Sequence, residues 1–129
     1  MPFPVGEEHI AAEEAKLGRR LPEPLRSRLS ADNGGEIACS DPNWDESWRL
    51  YPVWDPTDRR TAGRTANSIA RETESLHRDL GGIFPEDAIA VGSNDGGDHL
   101  IVRAGRTEVE IWDHETRKVV PAALDWGNA

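Results

Sequence analysis

The chain has 129 residues, 36% of them hydrophobic, a single cysteine, and a formal net charge of −9 from 24 acidic and 15 basic residues. One domain spanning residues 1–129 with one core is the natural expectation, and the lone Cys39 excludes an intramolecular disulfide and suits a reducing compartment. The charge balance argues against direct nucleic-acid binding, which asks for a basic stripe; no apolar run can span a bilayer, and "MPFPVGEEH" lacks the regions of a signal peptide, so a cytoplasmic protein is expected.

In chain order, Ile10, Glu14, Leu17 and Leu21 recur at helical spacing and predict a helix from about Gly6 to Leu17, stopped at Gly18. Pro22 and Pro24 suit the first turn of a second short helix whose Leu21, Leu25 and Leu29 share a face. "SADNGG" ends it, because Asn33 and Gly34 tolerate positive φ. "EIACS" and the alternating "WRLYPVW" read as strands joined by the loop "SDPNWDES". In the second of these, Trp48, Leu50 and Pro52 fall on one side, and Pro52 implies an edge or a bulge.

"DPTDRRTAG" reads as a loop into a third helix, about Arg64 to Leu80, with Ile69, Thr73, Leu76 and Leu80 on one face. Ala88–Val91, His99–Val102 and Val109–Trp112 are strands joined by the turns "SNDGGD" and "RAGRTE", and "KVVPAAL" is one last short strand. The order of elements predicts an α+β fold. Its sheet should be mainly antiparallel, of about four to six strands, with helices packed on one face.

With these elements placed, "EAKLGRRLPEPLRSRLSADNGG" resembles the opening of the SUKH superfamily, through Glu14, Leu17, Gly18, Leu21, Pro22, Asn33, Gly34 and Gly35. "FPEDAIAVGSNDGGDHLIV", with Gly97 and Asp98, resembles its second signature, and "VEIWDHET", with Trp112, its following strand. The segment from Ser40 to Gly63 has no recognisable counterpart. The resemblance implies a non-catalytic α+β domain. Many bacterial members resemble immunity proteins that bind and neutralise a cognate toxin, often a nuclease. Fungal relatives are linked to cell-wall synthesis and signalling, so a regulatory adaptor is the alternative.

The residues themselves offer little catalytic chemistry. "SNDGGDHLIVR" lacks the ligand spacing of a calcium loop, and Gly96 and Gly97 suit a tight reversal in which Asp98 accepts backbone N–H groups. The four histidines are not paired at metal-ligand spacing. His114, with Asp113 and Glu115, is the best local acid–base cluster, yet "DHET" also reads as a plain turn. No cofactor, metal or catalytic residue is therefore expected. Glu14, on the apolar face of the first helix, should accept N–H groups from the "NGG" turn, since a buried carboxylate needs such partners.

The expected partner is a basic protein, steered by the acidic charge. The expected partner-binding residues are Asp41, Trp44, Asp45, Glu46, Trp48, Trp54, Asp55 and Asp58, because tryptophan anchors among acids make a binding patch. Trp48 and Trp54 can equally fill the sheet core, Trp112 is expected in the core, and Trp44, in a loop, is the one expected at the surface.

Overall fold

Local signals place the elements, and the computed structural model describes residues 3–44 and 47–126. Helix α1 (Glu7–Leu17) ends where Gly18 adopts φ 72° and donates its N–H to Glu14 O. Helix α2 (Glu23–Ala31) starts behind Pro22, whose missing N–H costs nothing there. Gly34 (φ 103°) and Gly35 (φ 82°) then turn the chain into β1 (Gly35–Cys39), which ends at the buried Cys39. Strand β2 (Trp48–Leu50) follows.

The expected single helix from Arg64 to Leu80 is two helices, α3 (Arg59–Arg64) and α4 (Ile69–Leu80). Each has its own N-cap. The Asp58 side chain accepts the Thr61 N–H and the Ser68 hydroxyl accepts the Arg71 N–H, so the chain restarts rather than continues. The remaining strands are β3 (Ala88–Ser93), β4 (His99–Arg103), β5 (Glu110–Trp112), β6 (Val119–Pro121) and β7 (Leu124–Asp125).

All strand pairings are antiparallel, in the order β6-β5-β4-β3-β2-β1-β7. The seven strands exceed the expected four to six because "KVVPAAL" makes two strands instead of one. Pro121, opposite Glu110, has no N–H with which to extend pairing to β5. The chain moves on to β1, where Leu124 pairs with Cys39. Only Ala122 and Ala123 separate β6 from β7, a reach of at most about 11 Å, yet these strands end the order on opposite sides. The sheet is therefore curled until both its edges meet on one strip of chain. Ala122 N donates to Val109 O on one side, and Ala123 O accepts from Ser40 N on the other.

Pro52 also acts differently from expectation. β2 is an inner strand, paired with β1 and β3, and it stops at Leu50, before the proline. The Tyr51 N–H still donates to Val91 O at 2.9 Å, and past that bond β3 has no strand on its β2 side. Helix α4 covers the vacancy. Thr73 Oγ1 accepts the Ala90 N–H at 2.9 Å, and His77 Nε2 lies 2.8 Å from Ala88 O. The residues are four apart and so share a helix face. The Pro52 carbonyl in turn accepts the first amide of α4, Ile69 N–H.

The helices gather at this point, α4 against β3, α1 against α4 and α2 against α1. One hydrophobic cluster joins them to the sheet. Ile10, Leu21, Leu25, Leu29, Trp48, Leu50, Phe84, Leu100 and Ile111 are all fully buried in it. Burying each such side chain contributes about 1.5–3 kcal/mol.

Candidate partner-binding surface

The segment from Asp41 to Asp58 leaves the sheet twice, and each excursion is held by its own set of hydrogen bonds. In the first, the Asp41 carboxylate accepts the Asn43 N–H at 2.9 Å and starts a 3-10 turn over Pro42–Trp44. Trp44 folds back from that turn, its ring 6.1 Å from the ring of Trp48. Trp48 lies in β2 and is wholly buried. Trp44 is half-buried and packs on the core, which corrects the expectation that it is the exposed tryptophan. Asp45 and Glu46 lie outside the described residues.

In the second excursion, after β2, the backbone is held from three directions. Asn33 pairs with both polar groups of Val53, Glu13 Oε1 accepts the Trp54 N–H at 3.3 Å, and Thr65 Oγ1 accepts the Asp55 N–H at 2.8 Å. Trp54 is consequently turned outward and is 40% exposed. The Lys16 ammonium sits 4.7 Å from its ring centroid, in cation–π range.

The acids of this stretch serve different ends. Asp55 is buried and accepts both the N–H and the hydroxyl of Thr57, with His9 Nε2 3.6 Å away, so it closes a turn and presents no charge to a partner. Asp58 is exposed at the start of α3, and the Thr61 N–H holds its carboxyl below the ordinary value. Among the described residues of the expected patch, the outward-facing groups are thus Trp54, Asp58 and part of Asp41.

Several N-terminal motif residues are bonded within the fold. Contrary to the expectation, Glu14 does not reach the "NGG" turn, which is occupied with β2 and Val53. Instead it accepts the Leu21 N–H at 2.7 Å and the guanidinium of the buried Arg26 at 2.8 and 3.0 Å. Glu7 completes the site, and the hydrogen bonds from Arg26 hold both carboxyls below their ordinary values. Leu17 packs half-buried on the core beside them. Glu13, one residue before Glu14, is the more deeply buried acid, and it accepts the Ala70 N–H at 2.7 Å besides that of Trp54. Its place on the Ile10–Leu17 face was the available signal for this role.

Two turns meet at the far end of the sheet. Asn94 Oδ1 accepts the N–H groups of Gly96 and Asp98, and Gly97 takes φ 95°. The Asp98 carboxylate accepts the Asn94 Nδ2–H of its own turn at 3.1 Å, and it also reaches out of that turn. It crosses to "DHET", accepting from His114 N at 3.0 Å and meeting His114 Nδ1 at 2.7 Å. Burial raises the Asp98 carboxyl, but the hydrogen bonds from His114 and Asn94 outweigh it and hold the group below its ordinary value. The same contact raises His114. Nearby, His99 stacks on the buried Trp112 at 6.0 Å, and burial lowers its pKa.

Asp98, Asp113 and His114 offer ligand atoms within 4.8 Å of one another. These atoms already serve the turns, for Asp113 Oδ1 accepts the Glu115 and Thr116 N–H groups. The arrangement is a latch between loops, which needs no ion to account for it.

Among the described residues no helix is long and apolar enough to cross a membrane. No curated protein matches the chain. Three motifs in register, an antiparallel curled sheet and the helix pair that precedes it agree with a match to the family over residues 4–127: the chain belongs to the SMI1 / KNR4 family (SUKH-1).

Proposed function

We propose that this protein is a cytoplasmic immunity protein that neutralises a cognate toxin by stoichiometric binding, without turnover. Family membership supports a protein-binding role. The observation that carries the choice of site is Trp54, a large apolar ring held at the surface on a backbone fastened by Glu13 and Asn33. A rigid exposed tryptophan is a typical interface anchor, since little ordering entropy opposes its burial. The net charge of −9 favours a basic partner, with Asp41, Asp58 and the neighbouring Asp45 and Glu46 contributing to encounter.

The test is surface plasmon resonance against the protein encoded next to this one, beside growth rescue in cells that express it. Trp54→Ala should weaken binding by about 2 kcal/mol or more through faster dissociation. Trp44→Ala should act through stability instead. A neighbour that is not toxic, or cells that are not rescued, would replace immunity by the adaptor reading. Binding unaltered by Trp54→Ala would move the site elsewhere.

A further inference from the structure

On a chain with nine excess negative charges, one groove carries the opposite sign. It runs between the C-terminal end of α1 and the outer face of α4, with a volume of about 870 Å³. Its cations are Lys16, Arg19, Arg71 and Arg78, against the carboxylates Glu74 and Glu86, and Trp54 forms one wall. Arg19 is spent on the Val102 carbonyl at 3.2 Å. Arg78 has only the loose contacts of Asp79 and Ser75, at 3.4 and 3.3 Å. Lys16 and Arg71 form no ion pair among the described residues. With 24 acids in the chain, leaving Lys16 and Arg71 without a carboxylate partner among the described residues, beside an exposed indole, is a local charge pattern that complements an acidic ligand.

We propose that this groove docks an extended, acidic segment of a partner protein. The spacing of the cations specifies the segment. Arg71 and Arg78 are seven residues apart on one helix face, about 10 Å along the axis. A segment in the polyproline II conformation covers that distance in about three residues and returns to the same face every third residue, so acids at every third position meet both guanidinium groups. An apolar side chain between them and the α1 end reaches Trp54.

The segment does not add as a strand, because the free edge of β3 beneath the groove is already taken by Thr73 and His77. A continuous polyanion such as nucleic acid fits less well, since Glu74 and Glu86 interrupt the basic lining. The groove shares Trp54 with the site proposed for the toxin but does not rest on that reading, and Arg71→Glu tests it with Trp54 left in place.

Fluorescence anisotropy with a labelled peptide tests the proposal. The peptide carries glutamate at every third position and a phenylalanine next to the first. Its lysine counterpart and an oligodeoxythymidine serve as competing probes. The glutamate peptide should bind saturably and more weakly as salt rises. Arg71→Glu should weaken it on the order of tenfold, and Lys16→Glu should do likewise. Arg117→Glu, just after the "DHET" turn, should leave it unchanged. Arg71→Glu puts a glutamate three residues after the Ser68 cap, a favourable capping-box position, so lost binding cannot be ascribed to a melted helix. Absence of saturable binding, equal binding of the lysine peptide, tighter binding of the oligonucleotide, or unchanged affinity in Arg71→Glu would each overturn the proposal.

Discussion

The side chain of Asn33 binds the backbone of Val53 as a neighbouring strand would. Its Nδ2 donates to Val53 O at 2.9 Å, and its Oδ1 accepts the Val53 N–H at 2.8 Å. Val53 is completely buried, so both backbone groups depend on this partner. Asn33→Ala should therefore cost roughly 2–6 kcal/mol, about 1–3 kcal/mol for each group left unsatisfied. Asn33→Asp keeps the acceptor but sets a carboxylate against the Val53 carbonyl, and should not rescue. Urea midpoints measure both; a midpoint unchanged in Asn33→Ala would refute the role.

Two glycines are required for different reasons. Gly34 is buried at φ 103°, and Gly34→Val should cost on the order of 1–3 kcal/mol through backbone strain. Gly92 sits at the bulge between β3 and β4, where an added Cβ would lie 2.6 Å from the Arg49 carbonyl oxygen. Gly92→Ala should cost about 1–3 kcal/mol by forcing β2 and β3 apart. Gly82→Ala meets nothing within 4 Å and is the control. Thermal melts in which all three variants match the parent would remove both explanations.

The two histidines at the end of the sheet should pull stability in opposite directions with pH. His114 is raised above its ordinary 6.5 by the hydrogen bond to Asp98, so the fold prefers its protonated form. That contribution is fully present below pH 6.5 and is lost as pH rises through the folded value. His99 is lowered from 6.5 by burial. Its contribution is present above 6.5 and is lost as pH falls through the folded value. His114→Gln should flatten the alkaline side of a stability profile and His99→Phe the acid side. Chemical denaturation from pH 5 to 8 reads both slopes, and parallel profiles for the parent and both variants would contradict the assignment.

Asp98, Asp113 and His114 should not retain a metal, because binding would have to break hydrogen bonds that hold two turns together. Isothermal titration with zinc and with calcium should give no micromolar site. A site of that affinity, abolished by Asp98→Asn, would show that the latch is a metal centre.

The local chemistry of the chain was readable where a few neighbouring residues decide the outcome. Gly18 and "NGG" mark their turns because only glycine takes positive φ cheaply. Leu21, Leu25 and Leu29 mark the buried side of α2 because helical spacing brings them together. The break between α3 and α4 was not legible in the apolar period of Ile69 to Leu80, although Ser68 is a residue type that caps helices. Trp54 was ambiguous for a related reason. Strand alternation assigns Trp48, Leu50, Pro52 and Trp54 to one side, and the strand ends at Leu50.

The sequence by itself determined the α+β class, the antiparallel strands and most turns, since each rests on propensities spanning a few residues. Tertiary structure decided which tryptophan faces solvent, what covers the open edge of β3, and that the sheet closes on its own tail. Those outcomes depend on Glu13, Asn33, Thr73 and Pro121 meeting groups far away in the chain. Partners at such separations are selected by packing and hydrogen-bond satisfaction in the folded core, which no local pattern encodes.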